Sequence, residues 1–289
     1  MSSELSFIAA LRAIATTPAA RGLADDCAVL ELGSETLVLT HDMMLAGVHF
    51  LPEQDPADVA WKLVATNMSD LAAKGAVPLG VLLGCQLGPA PERFLAGLGE
   101  ALAHYGAALL GGDTVAGPGP QALGLTAIGR ASFTPVPSRA GARPGDRLWL
   151  TGAVGGAMVG LEALRGGPGD SLAYRRPVAR VAEGLVLAPL VTAMMDVSDG
   201  LLLDTLRLAR ASGVAIAIDS AAVPLACPEA RRAEALRWGD DYQLLFTAAP
   251  AAIPPIEAFR IGEARKAGAA PILLDGAPLS ESDELGYQH

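Results

Sequence analysis

Nine aspartates of this chain stand where apolar segments are interrupted or end, and that placement limits the fold more than any other feature. Asp25, Asp26, Asp42, Asp70, Asp113, Asp196, Asp199, Asp240 and Asp241 fall beside expected strand ends, helix starts or glycine-rich turns. Asp42 follows an apolar run and precedes Met43-Met44-Leu45, a poor setting for a solvated turn acid. A lone carboxylate in such surroundings is costly. Several carboxylates on loops that converge on one cleft can instead share hard cations, which want many oxygens at once. Aspartate is also common in turns and caps, so each acid taken singly has an ordinary structural reading.

The residues between the acids supply the elements. A β-rich run over 36–40 ends at His41 and Asp42. Asp55-Pro56-Ala57-Asp58 is a helix start, with Asp at the N-cap, Pro first and an acid in the first turn. That helix is predicted to run to Lys74 and to stop at Gly75 and Pro78. A second helix over 91–105 closes at Gly106, and a short strand over 107–110 leads into Gly111-Gly112-Asp113-Thr114. Another buried strand covers 123–129. Pro, Gly and Arg cluster over 135–146 and mark a crossing between two units. Beyond it come a strand at 147–151, a turn at 152–156 into a helix through Leu164, and a loop at 167–170. A helix over 201–211 ended by Gly213 and strands at 214–218 and 243–247 follow. Hydrophobic residues make up 51% of the 289 but aromatics only 4%, so small side chains carry the core. Such residues suit close helix-on-sheet packing, and the fold class expected is α/β (α+β) with two domains, 1–136 and 137–289.

Several chemistries are excluded early. A formal net charge of −10 argues against a nucleic-acid surface, and it requires intervening cations if the ligand is a polyphosphate. Gly152-Ala153-Val154-Gly155-Gly156 lacks the dinucleotide-binding spacing and any P-loop lysine. His41, His49, His104 and His289 show no metal-ligand spacing, and Cys27, Cys85 and Cys227 stand far apart. The longest apolar run, 184–195, contains Pro189 and is too short to span a membrane. The opening Met1-Ser2-Ser3-Glu4 lacks the order of a signal peptide, so a reducing cytoplasmic setting is expected, with neither membrane nor nucleic acid as partner.

Three acids have competing local readings. Asp70 shares a helix face with Asn67, and could equally form a surface pair with Lys74 four residues on. Gly111-Gly112 would let backbone amides approach a ligand while Asp113 holds a metal, or would be an ordinary turn. In Asp196-Val197-Ser198-Asp199-Gly200, Ser198 can cap a helix whose free amides attract anions, with Asp196 and Asp199 carrying Mg²⁺. A plain cap box explains Ser198 and Asp199 but not Asp196 behind Met194-Met195.

Taken in order, these segments resemble one family. They are Asp25-Asp26-Cys27-Ala28-Val29-Leu30, the stretch from Asp42 through Gly47-Val48-His49-Phe50, and Asn67-Met68-Ser69-Asp70-Leu71-Ala72-Ala73. Gly111-Gly112-Asp113-Thr114, Arg139 through Asp146, Tyr174-Arg175-Arg176-Pro177, Asp196 through Leu201 and Asp240-Asp241-Tyr242 complete the set. The pattern is similar to the thiamine-monophosphate kinases of the aminoimidazole-ribonucleotide-synthetase-like ATP-binding superfamily. The resemblance implies a homodimer in which the N-terminal mixed sheets of two subunits pair into a β-barrel, with ATP sites near the interface and a C-terminal α/β domain. It implies Mg²⁺ ligation by Asp26, Asp42, Asp70, Asp113 and Asp196, helped by Thr40 and Asp199. Gly112, Asp113, Arg139 and Ser198 would meet ATP, and His49, Asp240 and Tyr287 would meet thiamine monophosphate. Two positions depart from the family pattern: His41 would join the metal ligands as an imidazole where a hydroxyl is usual, and Trp238-Gly239-Asp240 replaces Gly-Gly-Glu.

The expected chemistry needs no catalytic side chain. The acceptor is a phosphate monoester whose second pKa is about 6, so it is already an anionic nucleophile near neutrality. Direct transfer is expected, with no phosphoenzyme. Alternatives are another superfamily member that phosphorylates a carbonyl or amide oxygen, and a degenerate nucleotide-binding dimer with a regulatory role.

Overall fold

The computed structural model describes residues 3–280 and 283–287. Two mixed sheets, each backed by helices, divide the chain. In the first half, helix α1 (Ser3–Arg12) precedes strands β1 (Ala28–Leu32) and β2 (Glu35–Leu45). Helix α2 (Pro56–Ala73), β3 (Ala76–Gln86), α3 (Pro91–Tyr105), β4 (Ala108–Val115) and β5 (Ala122–Ala131) follow. The sheet order is β1-β2-β5-β3-β4, antiparallel except for the parallel β3–β4 edge. Helices α2 and α3 cover one face, where Val38, Met44, Leu63, Met68, Leu71 and Leu125 form the core. Each such buried Leu or Met contributes roughly 1.5–3 kcal/mol relative to exposure.

The second half runs through β6 (Arg147–Leu150), α4 (Gly156–Leu164), α5 (Leu172–Arg175), α6 (Val181–Leu187), β7 (Val191–Asp196) and α7 (Leu201–Ser212). It ends with β8 (Ala215–Ile218), α8 (Arg232–Ala235), β9 (Leu244–Ala248), β10 (Phe259–Arg265), β11 (Ile272–Leu274) and β12 (Ala277–Leu279). These strands order as β12-β11-β8-β10-β6-β9-β7. Among the described residues no helix is long and apolar enough to cross a membrane.

Helix α2 belongs to both halves. Its start is the predicted one: Asp55 accepts a hydrogen bond from Ala57 N at 3.0 Å and Pro56 opens the helix. Its last turn leaves the first core and packs Ala72 and Ala73 against Leu187, Met194, Leu244 and Phe246. A Cβ on Gly184 would lie 2.1 Å from Ala72 O, so α6 can approach α2 this closely only through a glycine. With nearly every position of α2 buried, its polar residues have to be satisfied by protein groups or ligands.

Three expectations change. The strand predicted to stop at His41 and Asp42 runs on to Leu45, because its ladder with β5 continues through Asp42↔Leu125 to Leu45↔Ala122. Gly111-Gly112-Asp113-Thr114 is extended strand inside β4, not a turn. The Gly75-Pro78 stop ends α2 as expected, but β3 then begins at once and carries Pro78 beside a register shift, a place where a strand tolerates proline.

Candidate active site

Strand alternation decides which residues of β2 face the site. Val38, Thr40, Asp42 and Met44 point toward α2, whereas His41 and Met43 point to the open face of the sheet. On α2 the i, i+4 rule places Asp58, Lys62, Thr66, Asp70 and Lys74 on one ridge. That ridge runs beneath a cavity of about 590 Å³ whose floor is Asp42, Thr66, Asp70 and Asp196. The cavity wall adds Ser198 and Asp199 from the β7–α7 loop, His49 from the loop after β2, and Trp238, Gly239, Asp240 and Tyr242 from the loop before β9. Gly286 and Tyr287 close one side.

Three carboxylates converge at the deep end. Oxygens of Asp26, Asp70 and Asp196 lie within 4.8 Å of one another. Thr40 Oγ1 donates to Asp70, Ser69 Oγ donates to Asp196 Oδ2 at 2.6 Å, and Asn67 Oδ1 accepts from Asp42 N at 3.2 Å. Asp26 is ion-paired to Lys74 Nζ at 2.5 Å and accepts from Arg139 Nε at 2.7 Å. Asp70 and Asp196 have hydroxyl partners only, and no ion pair joins either to a described cation. Burial and mutual repulsion therefore push these acids up. Asp196 rises to about 8 through desolvation and the Asp26 charge, and Asp42 to about 6 through desolvation, Asp26 and Asp199. Asp70 rises well above the usual range through burial and its neighbours Asp42 and Asp196. A packed oxygen-only donor set whose charges repel one another is what a hard divalent cation satisfies.

A stability prediction follows from those directions. The folded pKa values of Asp42, Asp70 and Asp196 lie above the value of about 3.9 expected in the unfolded chain, so the folded state binds more protons between the two. The metal-free protein should lose stability as pH rises from about 5 to about 8.5. One pKa unit corresponds to about 1.4 kcal/mol, and a chain this size shifts by about 2–4 °C per kcal/mol. We expect Tm in EDTA to fall by roughly 10–20 °C across that range, and excess Mg²⁺ to restore more at pH 8.5 than at pH 5. A flat Tm profile would mean the carboxylates do not repel as the geometry requires.

Of the residues singled out from sequence, Asp42, His49, Asp70, Asp196, Ser198, Asp199, Asp240 and Tyr287 line one cavity. Thr40 and Asp26 stand directly behind it, and Arg139 reaches it through Asp26. Three are kept apart. His41 faces the open side, where its Nδ1 meets Thr126 Oγ1 at 2.8 Å. Asp113 lies on that same open side: Met43, Gly124, Gly84 and Asp113 form one row across four strands. Three strand spacings put it about 14 Å from Met43. Gly112 sits beside it on edge strand β4, where a Cβ would lie 1.9 Å from Leu83 O. The extreme closeness there explains the glycine without invoking a ligand.

Two local readings are corrected. Lys74 does not form a surface pair with Asp70; it is fully buried and bridges Asp25, at 2.5 Å, and Asp26. Ser198 does not cap α7. Its amide and that of Asp199 donate to Asp204 Oδ2 at 3.1 and 3.0 Å, so a side chain inside the helix fills the anion position expected to be free. Lys62, Thr66 and Asp204 were not singled out, and Tyr174 entered only as part of a matching segment. The unbroken four-residue spacing of Asp58, Lys62, Thr66 and Asp70 on the predicted helix is the signal that would have found Lys62.

Known proteins resemble this chain over most of its length. Residues 24–131 match the AIR synthase related protein N-terminal domain, and residues 143–263 the corresponding C-terminal domain. The thiamine-monophosphate kinase of Escherichia coli K12 is 38% identical over 250 residues, covering 78% of this chain and 75% of that protein. That of Caulobacter vibrioides is 39% identical over 272 residues, covering 86% and 76%. The structure of AaThiL complexed with AMPPCP and TMP superposes with a TM-score of 0.85 at 30% identity, covering 96% of this chain and 94% of that one. The chain belongs to the thiamine-monophosphate kinase family.

Proposed function

We propose that this chain transfers the γ-phosphoryl group of ATP directly to the phosphate of thiamine monophosphate, giving thiamine diphosphate and ADP. The observation that carries the reading is the single cavity in which buried, mutually repelling carboxylates meet a less acidic wall built from His49, Trp238 and Tyr287. Asp42, Asp70 and Asp196, with Asp26, Thr40 and Asp199 beside them, would hold several Mg²⁺ ions. When bound, Mg²⁺ offsets the repulsion between the two anionic substrates and steadies the charge that develops during transfer. The chain's own part is placement. Arg139 and Ser198 stand at the nucleotide side, and His49, Asp240 and Tyr287 at the acceptor side. No side chain is required as a base, because the acceptor phosphate is already ionised.

The reading includes a homodimer formed through the open face of the first sheet, the two sheets closing into a barrel. Met43 on that face is 61% exposed and Leu110 on β4 is 56% exposed, with Leu82 also uncovered. An uncovered apolar sheet face next to an unpaired edge strand is an association surface. A cytoplasmic setting suits the three cysteines, all free.

The test is an incubation with MgATP and thiamine monophosphate, read by chromatography. Equal amounts of ADP and thiamine diphosphate, both abolished by EDTA, are expected. ADP without thiamine diphosphate would remove thiamine monophosphate as the acceptor. Nucleotide binding with no turnover would make the chain a binding protein.

A further inference from the structure

Lys62 is 1% exposed, yet it lies on the cavity wall. Its ammonium group has three donors and the structure occupies all of them. One reaches Asp240 Oδ2 at 2.8 Å, one reaches His49 O at 3.1 Å, and the third direction is filled by the Tyr174 ring, whose centroid is 3.8 Å away. The three partners come from three segments: the loop after β2, helix α5 and the loop before β9. The first belongs to the same half of the chain as Lys62, and the other two to the second half.

The partners also hold one another. Tyr174 Oη donates to His49 O at 3.1 Å, and Tyr242 Oη donates to Asp240 Oδ1 at 2.8 Å. Asp240 N donates to Ser198 O at 2.8 Å, which ties the acceptor wall to the β7–α7 loop. Asp240 and Tyr242 have φ of 66° and 50°, a left-handed backbone that persists only where its surroundings enforce it. One turn before Lys62 on the same ridge, Asp58 binds both Arg175 and Arg176, so α5 is clamped to α2 at two successive turns. Two turns after Lys62 stands Asp70. The rise of a helix puts about 12 Å between them.

We infer that Lys62 is a positioning residue: it latches His49 and Asp240, from opposite halves of the chain, into one acceptor wall at a fixed distance from the carboxylate cluster. With every donor used, its ammonium has none left to grasp a phosphate. Its role is to set the geometry of the groups that do meet the acceptor. This rests on the acceptor side proposed above, namely that His49 and Asp240 face thiamine monophosphate.

The test separates acceptor from nucleotide. Thiamine monophosphate binding to wild type, Lys62→Gln, Asp240→Asn and the double variant would be measured by calorimetry in the presence of Mg²⁺ and a non-hydrolysable ATP analogue. Binding of the analogue alone would be titrated beside it, and KM for each substrate determined. We expect Lys62→Gln to weaken thiamine monophosphate binding by tenfold or more and raise its KM to match, with analogue affinity within twofold of wild type. The double variant should be no weaker than the weaker single, because both changes break one latch. Unchanged acceptor affinity in Lys62→Gln overturns the inference. So does an equal loss for both ligands, which is what a general structural role would give. A wild type that binds the analogue but no thiamine monophosphate would overturn the proposed acceptor itself, a result readily told apart from the other two.

Discussion

Replacing Asp70 with asparagine should cut phosphoryl transfer by about 10²–10³-fold while making the metal-free protein more stable. The two effects come from one cause. Asp70 is crowded by Asp42, Asp196 and Asp26 and raised well above the ordinary carboxylate range, so its charge is a burden on the empty fold. The amide keeps the shape and can still accept the Thr40 hydroxyl that Asp70 accepts. It removes the charge that a divalent ion requires. In EDTA at pH 8.5 the variant should melt several degrees above wild type, and excess Mg²⁺ should raise its Tm less than it raises that of wild type. A variant that is both inactive and less stable in EDTA would show that Asp70 serves the fold rather than a cation. One that keeps its activity would remove Asp70 from the site. Asp26 should behave differently, because Lys74 and Arg139 already pair with it. Asp26→Asn leaves Lys74 with Asp25 alone and takes the carboxylate from Arg139, and should lower stability with or without metal.

What could be read in the sequence was the part governed by local chemistry. Asp55-Pro56 at the start of α2 and Gly106 at the end of α3 act within one helical turn, and both stand where they were expected. The carboxylates were found because an acid inside an apolar run is conspicuous whatever the tertiary fold. The misses share a different cause. β3 runs through Pro78 and β4 through Gly111-Gly112, because pairing with neighbouring strands outweighs residues that locally discourage a strand. The reach of Lys74 to Asp25 and Asp26, and the filling of the Ser198 and Asp199 amides by Asp204, depend on where a buried side chain turns. Spacing constrains such choices without deciding them. His41 is instructive in the same way. As a letter beside Asp42 it reads as a departure within the ligand set, but the two-residue period of β2 sends it to the opposite face, against Thr126.

That opposite face carries the second large prediction. Asp113 and Met43 lie on it together, about 14 Å apart and on the far side of the sheet from Asp42. If Asp113 binds metal or nucleotide at the cluster, it has to do so across the proposed dimer, in the site of the partner subunit. Asp113→Asn and Asp70→Asn should then each be inactive alone. When the two chains are co-expressed and assort at random, half of the dimers are mixed. Each mixed dimer has one site with its own Asp70 and with Asp113 of the partner subunit, both intact, and one site lacking both. The mixture should therefore recover about a quarter of wild-type activity, as two-fold symmetry dictates. A mixture as dead as its components would place Asp113 in the site of its own chain. Full activity of Asp113→Asn alone would remove it from the chemistry. A charge introduced on the same face, Leu110→Glu, supplies the independent arm. Leu110 is largely uncovered in the single chain, so its own fold tolerates the change, while a buried carboxylate in an apolar subunit contact is not tolerated. The expected result is a folded monomer by light scattering, with unchanged far-UV circular dichroism and activity reduced at least as far as in Asp113→Asn. A dimer that survives Leu110→Glu would move the subunit contact elsewhere, and with it the reason for carrying an uncovered apolar strand beside Gly112 and Asp113.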